Sequence, residues 1–269
     1  MSDTVLLEFR DGIATLTLNR PQAMNSLGQE MSRVLLARVR EIEASEAGEG
    51  VRVVVVTGAG EHFMAGGDIK EFSTMLDATP AERERAFRGM IEEHVHPAVE
   101  ILRGLPQPVV GKVRGACAGF GFSLMLGCDL VVAADNAYFT TGYALLGTTP
   151  DGGSTYFLPR TLGSKKAAEL ILLADRIDAG EALGLGLINR VVPAADLDAE
   201  CDRLARRLAA GPAQAYAGAK RLLNASLSAT LAEQLRAEGE SFGRCSATGD
   251  FAEGVAAFVG KRKPSFKGH

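Results

Sequence analysis

The sequence predicts an α/β core followed by a C-terminal region made of helices. Short valine-rich runs at 53–58 and 109–113 are typical of strands buried in a parallel sheet. Amphipathic helical patterns separate such runs in the first two thirds of the chain, whereas helical periodicity prevails almost throughout after about residue 164. The 269 residues, nearly half of them hydrophobic, are enough to bury one large core.

The first predicted elements are a hairpin and a helix. Residues 5–9 and 13–18 alternate in part between apolar and polar and flank Asp11-Gly12, which predicts two strands joined by a two-residue turn. Residues 30–47 place apolar side chains at helical spacing between charges, which predicts an amphipathic helix.

A long helix is predicted over 79–105, after a glycine-rich loop. Thr79 is suited to the N-cap, Pro80 to the first helical position, and Glu82 completes a capping box. Pro97 is a candidate break or kink, because proline removes a backbone donor from a helix interior.

A second series of elements follows this helix. The strand at 109–113 leads to a glycine- and alanine-rich turn, a short helix at 120–127 and a strand at 130–134. Asp178 and Glu181 predict a second capping box. Three further amphipathic helices are predicted at 196–211, 212–226 and 231–246.

Composition argues against several classes of function. The net charge is −4 and no basic stripe occurs, so we expect no nucleic-acid partner. Residues 1–20 lack the features of a signal peptide, and no apolar run reaches membrane-spanning length, so we expect a cytoplasmic protein without a membrane partner. The four cysteines lack Cys-x-x-Cys spacing, and His94 and His96 have no cysteine or third histidine nearby; we therefore expect a reducing compartment and no metal site.

Three glycine-rich turns, at 65–68, 115–121 and 150–153, follow a strand or open a helix. Glycine permits unusual backbone angles and close approach of a ligand, and helix starts offer free N–H groups. Two such N–H groups can hold a developing oxyanion, each donor contributing about 3 kcal/mol. Taken singly, each turn is explained as well or better by tight packing, and none matches a phosphate-binding loop or a dinucleotide fingerprint.

Together with their flanking residues, these turns resemble the crotonase superfamily, the enoyl-CoA hydratase/isomerase family. The resemblance implies a spiral of β-β-α turns over 1–200 that binds acyl-CoA. It also implies a helical region at 201–269 that serves assembly into a trimer or a dimer of trimers and covers the active site. The segments that carry it keep the family's order and spacing over essentially the whole chain: 18–27, 55–72, 106–139, 145–163, 178–193 and 250–266.

The resemblance also implies that two backbone N–H groups polarise the thioester carbonyl so that an enolate can form. The matching residues are Gly67 and Phe120; the family often has glycine at the second position, and the larger side chain is expected to narrow the site. No metal, flavin or nicotinamide is implied, since coenzyme A is part of the substrate. Lys261 or Lys263 is the candidate for a CoA phosphate, the alternative being a solvated basic tail. The residues expected along CoA are Ala23, Met24, Ala65, Gly67, Asp68, Ile69, Lys70 and Phe120.

The chain departs from the family's hydratases at both catalytic glutamates, whose places hold Ser123 and Tyr143. A serine and a tyrosine cannot replace a pair of carboxylates near neutral pH without strong changes of pKa. Asp151 lies eight residues after Tyr143, where the chain resembles dienoyl-CoA isomerases and 1,2-epoxyphenylacetyl-CoA isomerases of the family. A single carboxylate suits the removal of a proton beside the thioester and its return at another carbon.

We therefore predict an acyl-CoA isomerase that shifts a double bond or rearranges a ring epoxide. In this prediction Gly67 and Phe120 hold the enolate oxygen, Asp151 moves the proton and Tyr143 faces the pocket. Burial among residues such as Phe122 is expected to raise the pKa of Asp151, as a base working near neutral pH requires.

Four alternatives stay open. Asp151 can instead cap the helix that starts near Ser154 or satisfy turn N–H groups, as aspartate in a turn often does. The protein can be a hydratase with atypical catalytic residues, or a CoA-binding homologue without catalysis. It can also be a hydrolase resembling 4-chlorobenzoyl-CoA dehalogenase, with Asp151 as the nucleophile and His96 as the base that activates water.

Overall fold

The computed structural model describes residues 3–45 and 50–269 and contains two β-sheets. The six-stranded sheet has the order β1-β2-β3-β4-β6-β9, in which β1 and β2 form an antiparallel hairpin and the other neighbours are parallel. The predicted hairpin and the predicted buried strands are thus confirmed. The strands are β1 (Val5–Arg10), β2 (Ile13–Leu18), β3 (Val53–Gly58), β4 (Val109–Val113), β5 (Ala116–Ala118), β6 (Leu130–Ala134), β7 (Tyr138–Thr140), β8 (Ile177–Asp178) and β9 (Arg190–Val192).

The smaller sheet has the order β5-β7-β8, with β5 and β7 parallel. Two strands of the large sheet continue into the small one and then into helical turns: β4 is followed by β5 and the helix Phe120–Leu126, and β6 by β7 and a short 3₁₀ helix. β3 follows the same course, because Met64 forms a parallel bridge with Cys117 of β5. The predicted β-β-α spiral is therefore confirmed, and each of its turns carries one glycine-rich segment to the same side of the molecule.

Twelve α-helices are present among the described residues, and the strongly amphipathic segments form where the sequence predicts them. Helix α1 begins one residue earlier than predicted; residues 46–47 of the prediction lie outside the described residues. The helices are α1 (Gln29–Ala44), α2 (Ile69–Ser73), α3 (Pro80–Met90), α4 (His96–Gly104), α5 (Phe120–Leu126), α6 (Ser154–Leu162), α7 (Ser164–Leu173), α8 (Ala179–Gly184), α9 (Leu197–Ala209), α10 (Ala213–Ala225), α11 (Leu231–Ser246) and α12 (Gly249–Val259).

Pro97 does not break the long predicted helix. A π-helical segment, Ile91–Val95, joins α3 to α4, and its wider turn accommodates a residue that cannot donate a backbone hydrogen bond. Both halves of the capping box at Thr79 form. At Asp178 only the first half forms, with its side chain accepting from the Glu181 N–H.

The chain after residue 164 contains two strands that the prediction of almost unbroken helix missed. Strands β8 and β9 have two and three residues, too few for a period-2 pattern to show. Helix α9 crosses the predicted boundary at residues 200 and 201. It packs Leu197, Cys201 and Leu204 against the valines of β3 and β4, so it belongs to the core. A role in assembly for the helices beyond it stays a prediction.

Candidate active site

Two of the glycine-rich turns touch each other through their backbones. A Cβ on Gly66 would lie 3.3 Å from the Ala118 carbonyl oxygen, and one on Gly119 would lie 3.1 Å from the Gly66 Cα. Both glycines have positive φ, 95° and 52°, which other residues rarely adopt. The spiral and these two glycines together place the segment before α2 against the segment before α5.

Each of these turns presents a backbone N–H group without a partner in the described part of the chain. The Gly67 N–H follows one turn, and the Phe120 N–H opens α5. A Cβ at residue 67 would overlap the Phe72 ring at 2.4 Å, so any larger residue here requires Phe72 to move. The structure thus brings the two predicted oxyanion donors onto adjoining turns.

The side chain of Phe120 packs into the interior. Its ring is 2% exposed, and a Cβ on Gly152 would lie 2.8 Å from it. The ring therefore supports the turn that carries Asp151. The sequence, in which this residue replaces a glycine common in the family, did not indicate this role.

Asp151 is not a helix cap. Gly153, with φ 93°, occupies the N-cap of α6 and no side chain bonds the N–H groups there. The Asp151 carboxyl instead accepts a hydrogen bond on Oδ1 from the Tyr143 hydroxyl, at 2.5 Å. The capping alternative is therefore wrong. Among the residues that the structure describes, the only other hydrogen-bonding influence on the carboxyl is its own backbone N–H, and no other residue donates to Oδ2.

The environment of the Asp151–Tyr143 pair favours the neutral form of each group. Burial raises the pKa of Asp151, although the Tyr143 hydroxyl and the charge of His96 act in the opposite direction. Burial and the neighbouring Asp151 charge also raise the pKa of Tyr143, which therefore remains a donor at physiological pH. A carboxylate with a raised pKa is what a general base near neutral pH needs.

Ser123, at the place of a family glutamate, joins this pair. Its side chain is completely buried and its Oγ donates to the Asp151 main-chain oxygen at 2.8 Å. The same Oγ lies 3.2 Å from the Tyr143 hydroxyl and 2.5 Å from the Ser154 hydroxyl. Sequence analysis did not single out Ser154, because serine at the start of a helix is common and carries no chemical signal of its own.

His96 lies near this cluster without joining it. It is exposed and lines a cavity of about 800 Å³ together with Gly152, Gly153 and Tyr156. Within residues 3–45 and 50–269, no hydrogen bond connects His96 to Asp151, and only the effect of its charge reaches the carboxyl. The pairing of aspartate and histidine in direct contact is absent from this geometry.

The residues predicted to follow CoA lie around the Gly67 turn. The Ala65 N–H donates to the Met24 carbonyl at 3.0 Å, and Met24, Ile69 and Lys70 are exposed beside the turn. Ala23 ends the short 3₁₀ helix that precedes Met24.

Asp68 differs from this group because its carboxylate has partners within the chain. It caps α2 by accepting from the Lys70 and Glu71 N–H groups and forms an ion pair with Arg20 at 2.8 Å. Burial opposes its ionisation, but Arg20 and the two N–H groups outweigh burial and lower the pKa of Asp68. Its side chain therefore holds the Gly67 turn, and a role of Asp68 toward CoA stays a prediction.

Lys261 and Lys263 lie on the exposed C-terminal tail after α12. The structure shows no contact between them and the Gly67 turn among the described residues, so their role toward CoA stays a prediction. No group of three histidine, cysteine or acidic side chains lies close enough to hold a metal ion within the described ranges. None of the described helices is both long and apolar enough to cross a bilayer.

Comparison with known proteins agrees with this geometry. Residues 8–269 match the family profile described as enoyl-CoA hydratase/isomerase. The chain is 36% identical to a probable enoyl-CoA hydratase of Rhodobacter capsulatus, with 98% of each chain covered, and 35% identical to the 1,2-epoxyphenylacetyl-CoA isomerase of Escherichia coli, with 100% of each covered. The crystal structure of an enoyl-CoA hydratase from Polaromonas sp. JS666 has a TM-score of 0.90 at 36% identity, over 98% of this chain and 99% of that one. The chain is therefore an enzyme of the enoyl-CoA hydratase/isomerase family in the crotonase superfamily.

Proposed function

We propose that this enzyme is an acyl-CoA isomerase, which moves a proton beside the CoA thioester to shift a double bond or to rearrange a ring epoxide. The observation that carries this proposal is the single carboxylate of the cluster. Tyr143 binds Oδ1 of Asp151, and Oδ2 has no partner residue in the described chain. The two positions at which hydratases of the family carry glutamates hold hydroxyl groups instead.

The chemistry needs one base and one oxyanion site. The Gly67 and Phe120 N–H groups bind the thioester oxygen and stabilise the enolate, while Oδ2 of Asp151 takes the proton from the adjacent carbon. The neutral Asp151 then gives this proton to another carbon and regains its charge. Tyr143 can donate to Oδ1 in both states, since the transferred proton resides on Oδ2.

Hydration is the second candidate, because similar proteins carry the name hydratase. It requires one group to activate water and another to deliver a proton. Ser123 and Tyr143 serve this chemistry poorly. The pKa of Tyr143 is raised above its ordinary value, so it does not ionise to act as a base, and Ser123 already donates its proton to the Asp151 main chain. Hydrolysis with His96 as base lacks a direct His96–Asp151 contact.

We further propose that the enzyme assembles as a homotrimer or a dimer of trimers in the cytoplasm and binds CoA with the residues around Gly67 and with Lys261. Three apolar side chains on α11 and α12, Phe242, Phe258 and Val259, are 70%, 86% and 76% exposed in the single chain, which suits contact with a second subunit. The four cysteines are free thiols, as is usual in a reducing compartment. Light scattering after size-exclusion chromatography measures the assembly.

The test of the reaction is a screen of acyl-CoA thioesters with product masses as the readout. The substrates are cis- and trans-3-enoyl-CoA, 2,4-dienoyl-CoA, ring-epoxidised phenylacetyl-CoA, 4-chlorobenzoyl-CoA and crotonyl-CoA. An unchanged mass with altered retention marks isomerisation, and the gain of one water marks hydration. Asp151→Asn is expected to abolish isomerisation. Asp175→Asn is the matched control, because Asp175 is exposed and has no polar partner among the described residues.

Three results contradict the proposal. Rapid hydration of crotonyl-CoA that survives Asp151→Asn identifies a hydratase with another base. A trapped acyl or aryl adduct on Asp151, detected by mass spectrometry, identifies a hydrolase. Equal behaviour of Asp151→Asn and the unmodified enzyme throughout the screen identifies a CoA-binding homologue in which Asp151 has no catalytic role.

A further inference from the structure

Ser123 is placed to connect the oxyanion site to the base. It lies three residues after Phe120 on α5, so the two residues occupy the same region of one short helix. A Cβ on Gly152 would lie 2.8 Å from the Phe120 ring and 2.9 Å from the Ser123 Cβ, which shows how closely the Asp151 turn packs on this helix.

The available protons and the contact distances indicate the direction of the hydrogen bonds in the cluster. Tyr143 uses its only hydroxyl proton toward Oδ1 of Asp151. Ser123 Oγ has two carbonyl acceptors, the Asp151 oxygen at 2.8 Å and the Gly119 oxygen at 3.4 Å, and the shorter contact favours donation to Asp151. The Ser154 hydroxyl, 2.5 Å from Ser123, is then the donor of that pair. Tyr143 thus holds the carboxyl of Asp151, and Ser123 makes the shorter of two hydrogen bonds to its main-chain oxygen, the other coming from the Ser154 N–H at 3.4 Å.

On the basis of the proposed isomerase function, we propose that Ser123 is a positioning residue that keeps Asp151 in register with the Phe120 N–H, so that Asp151 returns the same proton that it removes. For a 3-enoyl-CoA the C2–H bond breaks and an O–H bond forms on Oδ2 of Asp151. The enolate electrons then form the C2–C3 double bond, and the former double-bond pair takes the proton at C4. No other reactant takes part.

The register matters because the neutral Asp151 has two competing fates. While the carboxyl remains between C2 and C4, it delivers its proton to the substrate. If the turn at 151–153 moves away from α5, the carboxyl exchanges its proton with water before return. Loss of the Ser123 hydroxyl removes the shorter hydrogen bond to the Asp151 main chain and leaves only the long one from the Ser154 N–H. The Tyr143 bond stays intact, so the substitution increases exchange without removing the base.

The test is Ser123→Ala with 3-enoyl-CoA deuterated at C2. We expect kcat to fall by about 10-fold, the effect of one lost buried hydrogen bond on the reacting geometry, while KM changes by less than about twofold. Deuterium at C4 of the product, measured by mass spectrometry, is expected to fall well below that of the unmodified enzyme. Ser32→Ala is the matched control. Ser32 is also completely buried and donates to a carbonyl within its own helix, that of Gln29 at 2.8 Å.

A second variant covers the possibility that Ser123→Ala does not fold, as judged by circular dichroism. Ser123→Cys keeps a weak donor of similar size and is expected to retain an intermediate share of deuterium. Unchanged kcat and deuterium retention in either folded variant overturn the inference, as does complete loss of deuterium to solvent in the unmodified enzyme. Asp151→Asn separates the two proposals: if it is inactive while Ser123→Ala is normal, only the positioning role fails, whereas an active Asp151→Asn refutes the proposed function itself.

Discussion

The hydroxyl of Tyr143 controls the charge of the proposed base, and Tyr143→Phe isolates this effect. The Tyr143 side chain is 8% exposed, so phenylalanine keeps the buried ring and its packing. The substitution removes one hydroxyl, which lies 2.5 Å from Oδ1 of Asp151. Ser123 still holds the Asp151 main chain, because its bond to the carbonyl oxygen does not involve Tyr143.

The magnitude follows from the strength of a hydrogen bond to a charged group. Such bonds contribute about 1.5–3 kcal/mol, and Tyr143 gives this stabilisation to the ionised form of Asp151. Burial already raises the pKa of Asp151 and the Tyr143 hydroxyl opposes burial, so its removal raises this pKa further. The enzyme needs ionised Asp151 to accept a proton, so kcat/KM on the acidic side of the pH profile is expected to fall. Since 1.36 kcal/mol corresponds to a tenfold change, the fall is about 10- to 100-fold.

The assay is kcat/KM for the best acyl-CoA substrate, measured from about pH 5 to about pH 9. We expect the acidic limb of the Tyr143→Phe profile to move toward higher pH, with a smaller loss on the alkaline side. Tyr216→Phe serves as the control, since the Tyr216 hydroxyl has no hydrogen bond among the described residues. An acidic limb that stays in place, or moves toward lower pH, would refute the assignment of Asp151 as the base whose charge Tyr143 stabilises.

Three further predictions concern stability. The raised pKa of Asp151 means that its ionised form destabilises the fold, so folding stability falls as pH rises above the ordinary aspartate pKa. Asp151→Asn is therefore expected to raise Tm by a few degrees at neutral pH, and this gain disappears in acid. Gly152→Ala combines a φ of 58° with a contact of 2.8 Å to Phe120 and is expected to lower both Tm and kcat, whereas Gly184→Ala, with open space around it, is expected to leave both unchanged or to raise Tm. Lys220→Met removes a buried ammonium 2.8 Å from Asp129 and is expected to lower the free energy of unfolding, measured in urea, by about 2–3 kcal/mol. The loss is smaller than for a carboxylate left without any cation, because Arg103 still pairs with Asp129.

Much of the fold was predictable because its signals are local. The run at 53–58 is buried along its whole length, and its valines identify a strand without reference to any other part of the chain. Thr79 and Glu82 are three residues apart, so a capping box can be recognised in the sequence and both of its bonds form. Strands β8 and β9 were not predicted because they carry little sequence pattern of their own. They are strands mainly because they pair with a neighbouring strand.

The candidate site divides in the same way. The resemblance to the family pointed to Gly67, Phe120 and Asp151, and the missing glutamates at 123 and 143 were visible in the residues themselves. Whether Asp151 capped a helix or faced a ligand was undecided, because aspartate beside a glycine pair satisfies both uses equally well. The ion pair of Asp68 with Arg20, which lies 48 residues away in the chain, was likewise not visible in the sequence.

The sequence by itself determined the family, the hairpin, the longer buried strands and the amphipathic helices, and which carboxylates are absent from the site, since these depend on residue identity and short-range spacing. The tertiary structure alone decided that Ser123, Tyr143 and Asp151 form one hydrogen-bonded cluster, that Ser154 joins it and that His96 does not. The physical reason is that hydrogen bonds extend over about 3 Å, so groups separated by 8 to 28 residues meet only after successive turns of the spiral have packed on one another.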